Sequence, residues 1–396
     1  MFEKTELLPP DPILGLSKMF REDPRENKID LGVGVFRTQS GVTPIMAAVK
    51  EAQQIVVNSE TTKAYTPADG APGFADNVLK LVLGEDSVAY REGYCSAVQT
   101  PGGCGALRLA GELLARSEIG GLTIGSPTWA NHIPLLSAAG ISIQTIPYYD
   151  TAKSEINFDA FIEGVRKLGP KDVLLLHGSC HNPTGADLSE DQINQLIEVA
   201  LERGFLPFID TAYHGFAKGL DKDAWIVRQM IERLPEVLVS YSCSKNFGLY
   251  RERTGALILK GKTVERTKAL HSQAISIARG IYSMPPAHGG AIVNEILSSS
   301  ELTAMWKQEL ETMRSLVVDN RNQLVSVARS TSLGNRLDFI GEQHGMFSLL
   351  PISNETVEKL RIEHAVYAVG GGRINVCGVN GGNIKRLVDV LASAIV

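Results

Sequence analysis

The run 172-DVLLLHGSCHNPTGADLSEDQINQLIEVALERGFLPFID-210 decides the fold class. It opens on a short apolar stretch, DVLLLHG, continues through a helix-length segment, SEDQINQLIEVALERG, and returns to a second apolar stretch, FLPFID. A strand, a helix and a strand in that order read as a βαβ unit with parallel strands. The same alternation extends on both sides. Upstream lie GGLTIGSP (120–127), HIPLLSAAG (132–140) and ISIQTIPYY (141–149). Downstream lie AWIVRQMIERLP (224–235) and EVLVSYS (236–242). The core of the chain is therefore expected to be α/β, with a parallel sheet.

Farther out the pattern changes. Residues 301–328, ELTAMWKQELETMRSLVVDNRNQLVSVA, place Leu302, Met305, Trp306, Leu310, Met313, Leu316, Val317 and Leu324 at mostly three-and-four spacing, which predicts one long amphipathic helix. Beyond it, LDFIGEQHGMFSLL and RINVCGV read as short strands, with another helix, in a smaller α+β domain. The segment 28-KIDLGVGVFRTQSGVTPI-45 is expected to join that domain. The expected division is an N-terminal arm over 1–10, a small domain of 11–43 and 313–396, and a large domain of 44–312.

Composition narrows the function. A net charge of −5 in 396 residues gives no reason to expect nucleic acid or an anionic membrane as partner. No apolar run approaches the roughly 20 residues that span a bilayer. The start, MFEKTELLPPDPILG, is acidic and proline-containing where a signal peptide carries a basic start and an apolar block, so a cytoplasmic address is expected. Cys95, Cys104, Cys180, Cys243 and Cys377 are scattered and form no CxxC pair, which fits reduced thiols. His177 and His181 in HGSCH have no HExxH context, and no metal site is expected.

In an open α/β sheet, ligands sit at the carboxyl ends of the strands. Three consecutive apolar runs here end in unusual chemistry: VLLLHG runs into SCHNPTG, FLPFID ends at Asp210 before TAYHGF, and EVLVSYSCS ends at Lys245. Singly, each ending reads as a turn or a helix cap. Together they bring Asn182, Asp210, Tyr213 and Lys245 to one edge. Upstream, 99-QTPGGCGALRLAGELLA-115 is a glycine-rich turn feeding a helix, whose free N–H groups suit a phosphate. It lacks the G-x-G-x-x-G dinucleotide fingerprint. A phosphate cradle, a carboxylate, an asparagine, a tyrosine and a lysine suit pyridoxal 5′-phosphate. In that reading Asn182 and Tyr213 hold the ring hydroxyl, and Ser242 and Arg253 complete the phosphate site. A free lysine has a pKa of about 10.4. Nearby positive charge and desolvation lower it and favour the nucleophilic amine.

With these motifs in place, the sequence resembles the class I aminotransferases, in their aspartate and aromatic amino acid branch. The resemblance rests on SPTWANH, HGSCHNPTG, FIDTAYHGF, SCSKNFGLYRERTG, YSMPPAHGG and GGGRINVCG, and extends from DPILGL to the C-terminus. It implies a fold-type I enzyme with a mainly parallel seven-stranded sheet flanked by helices, acting as a homodimer. Lys245 is implied as the Schiff-base lysine and Asp210 as the partner of the ring nitrogen, with Asn182 and Tyr213 at the ring oxygen. Trp129 is implied to stack on the ring. Gly103, Cys104, Ser242, Ser244 and Arg253 fall at phosphate positions, and Tyr65 matches a tyrosine that reaches the neighbouring subunit's phosphate. Arg373 and Gly34 are implied at the substrate α-carboxylate. Arg279 is implied to cross from the partner and bind a distal carboxylate. His132 and His177 are implied to support the Asp210 contact.

The activity implied is transfer of an amino group from aspartate, aromatic amino acids or both to 2-oxoglutarate, by a ping-pong mechanism. A strict aspartate enzyme, or a decarboxylase or lyase on the same fold, shares Lys245 and Asp210. The pair Arg373 and Arg279 is what favours transamination between dicarboxylates. Arg37, Ala64, Cys104, Met284 and His214 depart from the aspartate-specialised pattern. They are expected to relax polar contacts around the bound substrate and so admit aromatic side chains.

Overall fold

The computed structural model describes residues 2–3, 5–7 and 12–395. Of the expected arm 1–10, residues 1, 4 and 8–10 lie outside the described residues. A seven-stranded sheet forms the centre. Its strands are β1 (Cys95–Pro101), β2 (Gly121–Ser126), β3 (Ile143–Pro147), β4 (Asp172–His177), β5 (Leu206–Thr211), β6 (Val237–Ser242) and β7 (Thr254–Lys260). They lie in the order β1-β7-β6-β5-β4-β2-β3. Only β7 runs antiparallel, against both β1 and β6; the remaining pairs are parallel.

Near-continuous apolar runs are what a sheet covered on both faces requires. Side chains alternate between those faces. Val173, Leu175, Phe208, Leu238 and Leu257 pack on one side with Leu107, Leu109 and Leu113 of helix α1 (Gly102–Arg116). Leu174, Leu176, Ile209, Val239 and Ile258 join the larger core on the other. Helix α2 (Glu190–Arg203) starts at a capping box, in which the Ser189 hydroxyl accepts from Gln192 N and the Gln192 side chain accepts from Ser189 N. It stops at Gly204, whose φ of 76° is the left-handed end that glycine supplies.

Two strands of the sheet, β1 and β7, were not legible from the alternation. CSAVQTP is half polar, and TGALILK follows directly on the lysine segment rather than a helix. Their antiparallel pairing places Gly255 opposite both Thr100 and Ser242, which closes the lysine segment onto the glycine-rich turn.

The long helix expected over 301–328 is present as α3 (Ser300–Arg329). Its buried face carries Leu302, Trp306, Leu310, Met313, Val317 and Leu324. Trp306 stacks flat on Phe247, with centroids 4.4 Å apart, and donates its indole N–H to Asn246 O at 2.8 Å. The helix is thereby tied to the segment that bears Lys245. The N-terminal segment meets the C-terminal region: Ile29–Asp30 pairs with Val366–Tyr367, and Phe347–Leu349 pairs with Arg373–Asn375. Within LDFIGEQHGMFSLL, Phe339–Glu342 is helical and only Phe347–Leu349 is extended. No described helix is long and apolar enough to cross a membrane.

Candidate active site

The parallel register aligns the chemistry. His177 stands opposite Asp210, and Asp210 opposite Ser240, at the carboxyl ends of β4, β5 and β6. Just beyond those ends lies an open cleft of about 830 Å³. It is lined by Gly34, Gly103, Cys104, Trp129, His177, Asn182, Asp210, Tyr213, Ser242, Ser244, Lys245, Arg253 and Arg373. Residues separated by as many as 339 positions thus converge on one space.

At its centre, the Lys245 amine sits 4.7 Å over the Tyr213 ring. Burial pushes its pKa below the ordinary lysine value, against the pull of the Asp210 carboxylate; Arg253 and Arg373 add to the lowering. Asp210 is buried, which alone would raise its pKa, yet the hydrogen bond and charge of His132 hold it below the usual range. His132 Nε2 lies 3.1 Å from Asp210 Oδ2. Thr128 Oγ1 lies 2.8 Å from His132 Nδ1 and 3.1 Å from His177 Nε2. Burial lowers His177 to about 3, so its ring is neutral. One consistent proton assignment runs from the His177 N–H to the Thr128 oxygen, from the Thr128 hydroxyl to His132 Nδ1, and from the His132 N–H to Asp210. It keeps Asp210 ionised deep in the fold.

The other end of the cleft is built for an anion. Helix α1 starts at Gly102, directing free backbone N–H groups there. A Cβ at Gly102 would stand 2.5 Å from Arg253 Nη2, and one at Gly103 would stand 3.2 Å from Ser242 Cβ. Glycine is what lets these groups approach. Arg253 itself has φ 52°, a left-handed conformation that costs a non-glycine residue roughly 1 kcal/mol or more. Its guanidinium is held by Tyr250 O at 3.0 Å and lies 3.5 Å from Ser244 Oγ. At Cys104, burial raises the thiol pKa, against the opposing charges of Arg253 and Lys245.

Arg373 forms the third corner. Its guanidinium lies 4.4 Å over the Phe347 ring, donates to Gly32 O at 2.8 Å, and reaches Asn182 Oδ1 at 3.3 Å. The buried Nε has no partner. Nη1 and Nη2 each carry a second N–H, which the bonds to Asn182 and Gly32 leave for an incoming carboxylate in the cleft that Arg373 lines.

Tyr65 and Arg279 do not line this cleft. Tyr65 is 91% exposed, and Arg279 is exposed with its guanidinium on Ser283 Oγ. The residues expected to relax substrate contacts lie mostly outside their own chain's cleft. His214 is fully buried, between Tyr241 Oη at 3.0 Å and Leu220 O at 2.8 Å, and touches no substrate space. Arg37 is spent on Asp30 Oδ2 at 2.6 Å. Met284 accepts from Thr66 N, and Ala64 is exposed. Of the five departures, only Cys104 lines the cleft. The sequence reading also missed Thr128, Tyr250 and Phe347. Thr128 sat inside SPTWANH and Tyr250 inside the lysine motif, so both could have been singled out. Phe347 gave no local signal.

The sequence profile of "Aminotransferase class I and II" matches residues 26–391. The aromatic-amino-acid aminotransferase of Pseudomonas aeruginosa is 45% identical over 392 residues, covering 99% of this chain and 98% of that protein. The aspartate aminotransferase of Escherichia coli (strain K12) is 39% identical over 396 residues, covering all of both. Among solved structures, the aromatic-amino-acid aminotransferase of Burkholderia pseudomallei, covalently bound to pyridoxal phosphate, superposes with a TM-score of 0.97 at 38% identity over the full length of both chains.

Proposed function

Because the chain belongs to the class I and II aminotransferases, we propose that it transfers the amino group of aspartate and aromatic amino acids to 2-oxoglutarate, with pyridoxal 5′-phosphate as cofactor. The observation that carries this reading is the meeting of a buried lysine amine, an ionised buried aspartate and an arginine guanidinium in one cleft.

The residues fit the cofactor. Gly103, Ser242, Ser244 and Arg253 offer an anion cradle at a helix start, and Asp210 offers a fixed negative charge facing it across the cleft. When bound, pyridoxal phosphate supplies an aldehyde for an amine and a protonated ring that draws electrons from the substrate α-carbon. The remaining work falls to side chains. Asp210, kept ionised by His132, holds a proton at the ring nitrogen. Tyr213 and Asn182 stand ready to donate to the ring oxygen. Burial favours neutral Lys245, which makes it a nucleophile and then a base that would take the α-proton and return it to the former aldehyde carbon. Arg373 orients the α-carboxylate, and Trp129 walls the ring face.

Two amino acids take turns in one site, so initial-rate plots should be ping-pong. In this reading, a homodimer carries Tyr65 and Arg279 of each chain to the other's site, and the small region (11–43, 313–396) moves against the large one (44–312). The test is a panel of kcat/KM values for aspartate, tyrosine and phenylalanine with 2-oxoglutarate. All three should turn over. Activity confined to aspartate would reject the broad reading, and release of carbon dioxide or ammonia would reject transamination.

A further inference from the structure

Away from the cleft, Arg321 on α3 is 1% exposed and forms no ion pair among the described residues; Asp187 acts on it only through its charge. Its guanidinium is spent on neutral oxygens: Gly345 O at 2.9 Å, Ile340 O at 2.9 Å, Ser348 Oγ at 2.7 Å and Phe347 O at 2.5 Å among them. Such a buried cation is hydrogen-bonded but has no carboxylate in contact, and a buried charge without a directly bonded counterion is costly. Burial pushes its pKa down to about 10, in keeping with that cost.

Arg321 forms the floor of an open pocket of about 740 Å³. Its rim carries Lys218 from the loop after β5, Lys222 from the short helix Leu220–Asp223 that follows, Arg314 from the preceding turns of α3, and His344. No carboxylate lines it. Arg314 is paired with Glu311, and His344 Nδ1 stands 3.9 Å from Asp187 Oδ2. Neither Lys218 nor Lys222 has an ion-pair partner among the described residues. In a chain whose net charge is −5, four permanent cations around one pocket are a local excess of positive charge.

We propose that this pocket is a binding site for a small multivalent oxyanion, separate from the catalytic cleft. The two free ammonium groups supply charge and mobile donors at the rim, and Arg321 supplies the fixed positive charge below. An anion of two or more charges would neutralise the floor while bridging the 218–222 segment to α3 and the segment before Phe347. Those elements reach the cleft through Tyr213 and Phe347, so occupancy would brace the wall of the catalytic site. A phosphoryl compound and a polycarboxylate both present the required chemistry.

The test uses the cofactor-loaded enzyme, so that the phosphate cradle is filled. Inorganic pyrophosphate, which has no carboxylate for the Arg373 corner, is titrated calorimetrically at low salt; citrate is titrated in parallel. Pyrophosphate should bind saturably. K218E/K222E should weaken it about tenfold or more, while leaving kcat without added anion unchanged. The control K262E/K385E, with the same change of net charge elsewhere, should leave binding intact. Citrate binding that K218E/K222E also weakens would assign the pocket to oxyanions of both kinds; citrate binding that it leaves unchanged, beside weakened pyrophosphate binding, would assign it to phosphoryl anions. No pyrophosphate binding, equal binding to K218E/K222E, or equal weakening by the control would overturn the proposal.

Discussion

Cys104 and His214 separate function from packing at the scale of single residues. Cys104 lines the anion cradle with a thiol whose pKa is raised by burial, a weaker donor than a hydroxyl. C104S should therefore tighten cofactor binding about fivefold, by adding a charge-assisted hydrogen bond. Fluorescence titration of the cofactor-free protein measures this, and equal affinities would show the thiol to be neutral there. His214 is a stability residue. Burial holds it at about 4 in the fold, against 6.5 for the free side chain. Between those values the unfolded chain binds the extra proton, so the contribution is complete above pH 6.5 and is lost as pH falls toward 4. It amounts to about 3 kcal/mol at most. H214Q keeps an amide to meet Leu220 O and Tyr241 Oη, and should lose less stability than the parent between pH 7.5 and 5. Urea midpoints at the two pH values compare them; identical losses would refute the assignment.

At the scale of elements, a tight junction lies between the 181–185 turn and the 344–347 segment. Gly185 has φ 71°, and a Cβ there would stand 2.3 Å from Phe347 O. His344 N donates to Gly185 O at 2.8 Å. Because Asn182 and Phe347 flank Arg373 from these two elements, the junction sets the carboxylate corner. G185A should cost about 2–4 kcal/mol through clash and backbone strain together. A shift of the urea midpoint with an unchanged slope would measure it, and a cost below ~1 kcal/mol would mean that the segments separate easily. The NPTG turn was legible as a turn. Its close fit against residues some 160 positions away was not, because no local pattern encodes a backbone approach.

Across the whole molecule, Tyr65 and Arg279 stand exposed and outside their own chain's cleft, which suits residues that serve a second chain. Mixing K245A with R279A protomers tests this. If the arginine crosses, one of the two sites in a hybrid dimer has both Lys245 and Arg279, and aspartate activity returns. If it acts within its own chain, no hybrid site is complete and the mixture stays inactive on aspartate. Recovery in hybrids, measured against each variant alone, decides the matter.

Taken alone, the order of residues determined the parallel core, the long helix α3 and the cast of the cleft. Strand alternation, helix periodicity and motifs at strand ends are local, and survive being read one segment at a time. Only the tertiary structure decided which polar residues are chemistry and which are scaffold. His214 and Arg37 went to internal partners, while Phe347 and Thr128 entered the site. Strands β1 and β7 were likewise found only through pairing. The physical reason is the same throughout: burial and partnership, which set a side chain's pKa and donors, belong to contacts between distant segments and are absent from any one of them.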